Sequence, residues 1–169
     1  MPRLTPATGM LLALALGVTG CSRYQLGTGA KPAFASLSVE PVVNRTALPQ
    51  AEAVFSARLR EAFIRDGRVP TVSSGGAATL TVALTDFRRE VAAVREGDTG
   101  LARKFNLTLT ASATLRDRGS GRLLWDRRPF TVTREAFTDG GQLQSEYQTL
   151  PLLAEALAQR VALAALDTW

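Results

Sequence analysis

The strongest constraint on the fold is a strict alternation of apolar and polar residues between Phe105 and Leu115. Every second position is apolar, and the positions between carry asparagine, threonine or serine. Such a pattern places one face of a β-strand against a core and the other against solvent, which is typical of an antiparallel sheet. The sequence therefore predicts a half-buried strand in this part of the chain.

The segments next to this strand predict its neighbours in the sheet. A second alternation over residues 79–85 predicts the preceding strand, and Phe87 then breaks the parity as a β-bulge does. Residues 116–121 predict a hairpin loop, and residues 122–134 predict the following strand. Pro129 in that last strand indicates an edge position or a kink, because proline has no N–H to donate to a neighbouring strand.

A strand over residues 36–43 and two helices complete the pattern. Pro49 is expected to open the first helix, since proline is favoured at the first helical position, and Gly67 is expected to end it as a C-cap. The final helix is expected to start within Gln144–Pro151. The order β-α-β-β-β-α predicts an α+β fold in a single domain over residues 34–169. We expect a two-layer sandwich, with two helices on one face of a mostly antiparallel sheet of about four strands.

The first twenty residues are typical of an export signal. An apolar run over residues 10–18 is too short to span a membrane and fits the core of a secretory signal peptide. The sequence Val18-Thr19-Gly20-Cys21 resembles the bacterial lipobox, which implies cleavage before Cys21 and lipid on its sulfur and new amino group. We therefore expect a signal peptide over residues 1–20 and a lipidated Cys21 with a tether over residues 21–33. The alternative is an ordinary signal peptide with a chance cysteine.

The residue after the cysteine bears on the destination. Ser22 stands where an aspartate would indicate retention in the inner membrane. By analogy with bacterial lipoprotein sorting, Ser22 favours the periplasmic face of the outer membrane.

Two residue counts exclude several classes of activity. The chain has no histidine and one cysteine, which excludes histidine-based catalytic triads, zinc sites built from histidine and cysteine and an intrachain disulfide. A carboxylate pair such as Asp117 and Asp126 could in principle act as acid and base, but no polar group recurs nearby to assist it. We therefore expect no enzymatic activity, no metal, and no cofactor besides the covalent lipid.

The net charge of +5 comes almost entirely from arginine. Arginine suits planar, bidentate contacts with carboxylate and phosphate, so an anionic partner is indicated: nucleic acid, an anionic lipid or a phosphorylated glycolipid. The export signal argues against nucleic acid. The alternative is a genome rich in arginine codons, with the charges merely solvated.

The mature chain resembles the LptE family of lipopolysaccharide-assembly lipoproteins, in a divergent form from outside the enteric bacteria. The resemblance extends over nearly the whole mature chain, and its residues occur in the order typical of that family. They are Tyr24-x-Leu26-Gly27, Val39-x-Pro41-x-x-Asn44-x-Thr46, Phe63-x-x-x-Gly67-Arg68-x-Pro70, Ala78-x-Leu80-x-Val82 and Leu115-Arg116-Asp117-x-x-Ser120-Gly121-x-Leu123-Leu124-Trp125. Ser22-Arg23, where glycine is commoner, and Pro129 depart from the family pattern.

This resemblance implies a binding and assembly role rather than catalysis. Members of the family plug the large outer-membrane β-barrel LptD and support transport of lipopolysaccharide to the outer leaflet. The alternative is an outer-membrane lipoprotein that binds and regulates a periplasmic enzyme such as a peptidoglycan synthase. A structural lipoprotein of a secretion or adhesion apparatus is a third interpretation.

The resemblance also directs attention to the arginines, because lipopolysaccharide carries phosphates and arginine pairs with phosphate bidentately. The first candidates are Arg116, Arg118 and Arg122 around the predicted hairpin, since binding groups concentrate on loops. The alternative is that these are solvated charges. Further candidate clusters are Arg88-Arg89, Arg103-Lys104 and Arg127-Arg128, and Trp125 is either a partner anchor or a core residue.

Overall fold

The computed structural model describes residues 32–94, 102–137 and 142–167. The predicted α+β fold with two helices is confirmed. The elements are β1 (Leu37–Val39), β2 (Val43–Asn44), α1 (Ala51–Asp66), β3 (Thr71–Val72), β4 (Ala78–Val94), β5 (Ala102–Asp117), β6 (Leu123–Phe137) and α2 (Gln142–Leu166). The expected signal peptide, Cys21 and nearly all of the expected tether lie outside the described residues.

The sheet is mixed and has six strands in these ranges, so the expectation of about four mostly antiparallel strands was wrong in number. Its order is β3-β1-β4-β5-β6, with β2 also paired to β4. The three long strands form an antiparallel meander, whereas β1 pairs in parallel with β3 and β4, and β2 pairs in parallel with β4.

A strand was expected over residues 36–43, and the structure has two short strands there, β1 and β2. The expected first strand is interrupted by residues 40–42, which include Pro41, and is thereby divided into β1 and β2. Strand β3 was not predicted as a strand, because two paired residues are too few to show an alternation. The parallel pairing follows from the crossover through α1, because a helix between two strands returns the chain in the same direction.

The predicted bulge in β4 is confirmed. The pairing register with β5 shifts between Leu84 and Asp86, so Thr85 is the extra residue and Phe87 lies opposite Leu109. Phe87 thereby returns to the apolar face of the sheet and packs partly buried against the core.

The core lies between one face of the sheet and the two helices. Leu80 lies opposite Leu115, and Ala111 lies opposite Phe130, so the apolar side chains form rows across the three long strands. Phe55 and Phe63 of α1 belong to the same buried cluster and are 2% and 1% exposed.

A hydrogen-bonded turn fixes the start of α1 and shows what the Asn-x-Thr motif does. Asn44 Nδ2 donates to Leu48 O at 2.7 Å, and its Oδ1 accepts from Thr46 N at 2.9 Å and Thr46 Oγ1 at 2.7 Å. Thr46 Oγ1 in turn accepts from Leu48 N at 3.2 Å. Pro49 therefore belongs to the turn, and α1 begins two residues later than expected, at Ala51.

The end of α1 is as predicted. Gly67 has a φ of 71°, a left-handed conformation that glycine adopts without strain, and its N–H donates to Phe63 O at 3.1 Å. Arg68 then donates to Asp66 Oδ1 at 2.7 Å and to Asp167 Oδ1 at 2.6 Å. This ion-pair network joins the ends of the two helices. The hydrogen bonds of Arg68 hold the pKa of Asp66 below its usual range.

The second helix begins at Gln142, before the predicted window, and Pro151 lies inside it. By length and composition, Leu143–Leu166 is apolar enough to cross a membrane. More than half of its most apolar window is buried inside the protein, 56%. The apolar character is therefore accounted for by its place in the core.

Strand β6 is an edge of the sheet, as Pro129 indicated, although the strand continues through the proline to Phe137. Helix α2 closes part of that edge. The Arg160 guanidinium donates to Thr131 O, and the Ser145 hydroxyl donates to Phe137 O. Side-chain donors thus occupy edge carbonyls that would otherwise be open to another strand.

Candidate functional site

The hairpin between β5 and β6 is built by Asp117 and Ser120. Asp117 Oδ1 accepts from Ser120 N at 2.7 Å and from Ser120 Oγ at 2.6 Å. Asp117 N donates to Arg122 O at 2.9 Å and closes the turn, and Gly121 has a φ of 70°. The hydrogen bonds from Ser120 hold the pKa of Asp117 below its usual value, so its carboxylate is committed to the turn.

The three predicted arginines lie on this turn, and all three are exposed. Arg116 Nη1 donates to Gly121 O at 3.0 Å. Within the described ranges, none of the carboxylates lies within 4.0 Å of the side-chain nitrogens of Arg116, Arg118 or Arg122. We call residues 116–122 the basic hairpin, since it carries three arginines against one aspartate.

The basic hairpin also contacts the rest of the domain. Arg118 N donates to Ala77 O at 2.8 Å. The Arg118 guanidinium lies over Gly75, so close that a Cβ at Gly75 would be 3.1 Å from Nη1. The turn is thereby held against the loop that precedes β4.

The other predicted basic clusters are engaged within the domain. The described members that form ion pairs do so with neighbouring carboxylates, at nitrogen–oxygen distances of 2.5–3.4 Å: Arg88 with Asp86, Arg89 with Glu146, Lys104 with Glu135 and Arg127 with Asp126. The side chain of Arg103 lies outside the described part of the chain. These clusters are therefore weaker candidates for an anionic ligand than the basic hairpin.

Trp125 is a core-flanking residue. Its ring lies 5.7 Å from that of Phe130, and it packs partly buried against the core. The guanidinium of Arg128 lies 4.9 Å from the Trp125 ring and 5.6 Å from the Phe130 ring. Arg128 is thus held by cation–π contacts, which the sequence gave no specific signal for.

The sheet face opposite the helices is mostly polar and has no covering layer in the described residues, although Phe137 lies exposed on it. Hydroxyl groups pair across its strands, with Thr108 Oγ1 3.0 Å from Thr133 Oγ1 and Thr110 Oγ1 3.2 Å from Thr131 Oγ1. We call this surface the open face. A shallow depression of about 340 Å³ on it, lined by Thr79, Thr81, Thr114 and Arg116, adjoins the basic hairpin.

The arrangement offers little for acid–base chemistry. Asp117 is held by Ser120, and Asp126 is exposed beside Arg127. In the described residues no group of three or more carboxylate or cysteine side chains is placed to hold a metal ion. What the hairpin can do is present unpaired guanidinium groups to an anion.

Comparison with known protein families identifies one family. The model of a family described as "LptE: Lipopolysaccharide-assembly" matches residues 34–164, which is most of the chain and nearly all of the folded domain. No match was found among curated proteins.

Solved structures show the same fold at low identity. Protein XCC0632 from Xanthomonas campestris is 14% identical with a TM-score of 0.59, over 82% of this chain and 88% of that one. A minor lipoprotein from Acinetobacter baumannii is 20% identical with a TM-score of 0.52, over 76% of this chain and 90% of that one. At these identities the likeness concerns the fold alone.

Proposed function

The chain belongs to the LptE family of lipopolysaccharide-assembly proteins, and we propose that it plugs and helps to assemble an LptD-like β-barrel in the outer membrane. In that role it supports transport of lipopolysaccharide to the outer leaflet. The observation that carries the proposal is the family match, because it extends through residues 34–164 and so includes both helices and the sheet. The members of this family are assembly lipoproteins and not enzymes.

The open face supports a plugging role. The lumen of a porin-type barrel is polar, so a protein inside it needs a polar surface. The hydroxyl rows supply the polarity. The ion pairs Asp86–Arg88 and Lys104–Glu135, at 2.8 and 2.5 Å, neutralise the charges beside them.

The basic hairpin is proposed as the contact for lipopolysaccharide phosphates. Its guanidinium groups are exposed and lack a carboxylate partner in the described residues, in contrast to the paired cations of the open face. Arginine and phosphate form paired, charge-assisted hydrogen bonds. Cys21 is proposed to carry the lipid that anchors the protein to the periplasmic face of the outer membrane.

The test is affinity purification of the full lipidated chain from detergent-solubilised membranes, with the co-purifying chains identified by mass spectrometry. A stoichiometric LptD-like barrel is the expected result. Its absence, with a periplasmic enzyme such as a peptidoglycan synthase recovered instead, would overturn the proposal and favour a regulatory lipoprotein.

A variant of the open face sharpens this test. Thr110→Arg places an unpaired charge among the hydroxyl rows and is expected to reduce recovery of the barrel. Ala57→Arg on the exposed side of α1 adds the same charge away from the open face and is expected to leave recovery unchanged. Equal effects of the two variants would count against the open face as the contact surface.

A further inference from the structure

The folded domain starts beside the basic hairpin. Ser36 Oγ accepts from Ala77 N at 2.9 Å, and Ser36 O accepts from Ala78 N at 3.0 Å. Arg118 N donates to the carbonyl of the same Ala77 at 2.8 Å. One residue thus joins the segment that enters the domain to the turn that carries the unpaired arginines.

From this placement we propose that the basic hairpin rests on the membrane leaflet that holds the lipid anchor and binds the phosphate-bearing headgroups of anionic phospholipids there. The inference rests on the proposed lipid at Cys21. It adds to the proposed function an orientation on the membrane and a second ligand, phosphatidylglycerol or cardiolipin, for the same guanidinium groups.

The length of chain between anchor and domain favours this orientation. Pro32 is eleven positions after Cys21, and eleven fully extended residues span at most about 40 Å. The opposite end of the domain is far more distant from the entry point, because β5 has 16 residues and a strand of that length extends about 50 Å. The anchored chain can therefore place the hairpin end on the membrane, but it is too short for the domain to stand on its opposite end.

The charges of the hairpin suit a headgroup layer. Arg116, Arg118 and Arg122 are exposed, and Asp117 is engaged with Ser120 rather than with a guanidinium. A basic side chain near an anionic leaflet gains an attraction that changes a contact equilibrium by about five-fold. Three such residues change the docked population on the order of a hundred-fold, and salt screens the effect.

The chain offers a clean reporter for this contact. Its single cysteine is Cys21, and once that sulfur is lipidated, a cysteine introduced elsewhere is the only free thiol. Gly119→Cys places a fluorophore on the hairpin, where an added Cβ meets nothing nearer than Asp117 Oδ1 at 3.6 Å. Gln148→Cys, at an exposed position in the first half of α2, is the matched control.

The labelled, lipidated protein is reconstituted into vesicles that contain a headgroup spin-labelled quencher. The vesicles consist of phosphatidylcholine alone, of phosphatidylcholine with phosphatidylglycerol, or of phosphatidylcholine with lipopolysaccharide. Quenching at position 119 is expected to exceed that at position 148 and to rise when phosphatidylglycerol is added. It is expected to return to the phosphatidylcholine level in the triple variant R116Q/R118Q/R122Q, and to stay high in the equally charge-reduced control R45Q/R60Q/R134Q.

Two results would overturn the inference. One is quenching at position 119 that does not exceed quenching at position 148. The other is quenching that responds to lipopolysaccharide and not to phosphatidylglycerol, which would leave the proposed function intact. Both are read on the unsubstituted arginines, so the inference is tested even if the triple variant folds poorly. Recovery of the barrel is a separate measurement, and its failure would not change these results.

Discussion

Replacement of Asn44 by alanine should destabilise the protein although no core residue is touched. The substitution removes three hydrogen bonds, from Nδ2 to Leu48 O at 2.7 Å and from Thr46 N and Oγ1 to Oδ1 at 2.9 and 2.7 Å. Each is worth about 1 kcal/mol net. Because the turn is only part-buried, water can replace some of them, and we expect a loss of about 2 kcal/mol in the free energy of unfolding.

The assay is urea unfolding of the full chain in detergent, followed by circular dichroism. In a thermal scan, a loss of about 2 kcal/mol in a domain of this size lowers Tm by about 6–10 °C. Arg45→Ala is the matched control in the same turn, since its exposed side chain has no hydrogen bond or ion pair in the described residues. We expect that variant to stay within about 0.5 kcal/mol of the parent.

A double-mutant cycle tests the coupling that the geometry implies. Thr46→Val removes one of the bonds to Asn44 and also the acceptor for Leu48 N at 3.2 Å. The two single losses should therefore sum to more than the loss in the double variant. Additive losses, or an Asn44→Ala loss no larger than that of Arg45→Ala, would refute the idea that this motif works as a structural turn.

Three further predictions concern other parts of the fold. The hydrogen bonds of Arg68 lower the pKa of Asp66 in the folded protein. The ion pair therefore stabilises the fold fully above the pKa of Asp66 in the unfolded chain, about 4, and this stabilisation is lost as the pH falls below that value. Acid titration of Tm should therefore be steeper for the parent than for Arg68→Gln. Gly76→Ala should cost at least about 1–3 kcal/mol in urea unfolding, because its Cβ would lie 2.5 Å from a backbone nitrogen of β1, whereas Gly119→Ala should be tolerated. Arg160→Ala should expose an edge carbonyl of β6 and produce concentration-dependent self-association in sedimentation.

The long elements could be predicted because each carries a period over many residues. The alternation from Phe105 to Leu115 fixed β5, and Gly67 fixed the end of α1 through the conformation that only glycine adopts without strain. The division of the first strand into β1 and β2, and the presence of β3, could not be predicted. Strands β1 and β2 pair with β4, and β3 pairs with β1, through contacts between residues that are distant in sequence.

The candidate site could likewise be predicted only in part. The Asp117-x-x-Ser120-Gly121 pattern predicts a turn from local chemistry, so the position of its arginines could be anticipated. That these arginines lack a carboxylate partner could not be predicted. Ion pairs can join residues that are distant in sequence, as Arg89 and Glu146 do across 57 positions. The contact of Arg118 with Ala77, which brings the hairpin to the start of the domain, is equally non-local.

The availability of the hairpin cations depends on Ser120, and this can be tested without removing any arginine. The hydroxyl of Ser120 is the first cause of the lowered pKa of Asp117, and the charge of Arg122 acts on the same carboxylate. In Ser120→Ala only backbone N–H groups still donate to Asp117, and the less firmly held carboxylate should turn toward Arg122. Binding of phosphatidylglycerol vesicles should weaken by about the five-fold that one arginine contributes, while Ser120→Thr, which keeps the hydroxyl, should bind as the parent does. Unchanged binding in Ser120→Ala would mean that the turn does not keep the aspartate away from the guanidinium groups.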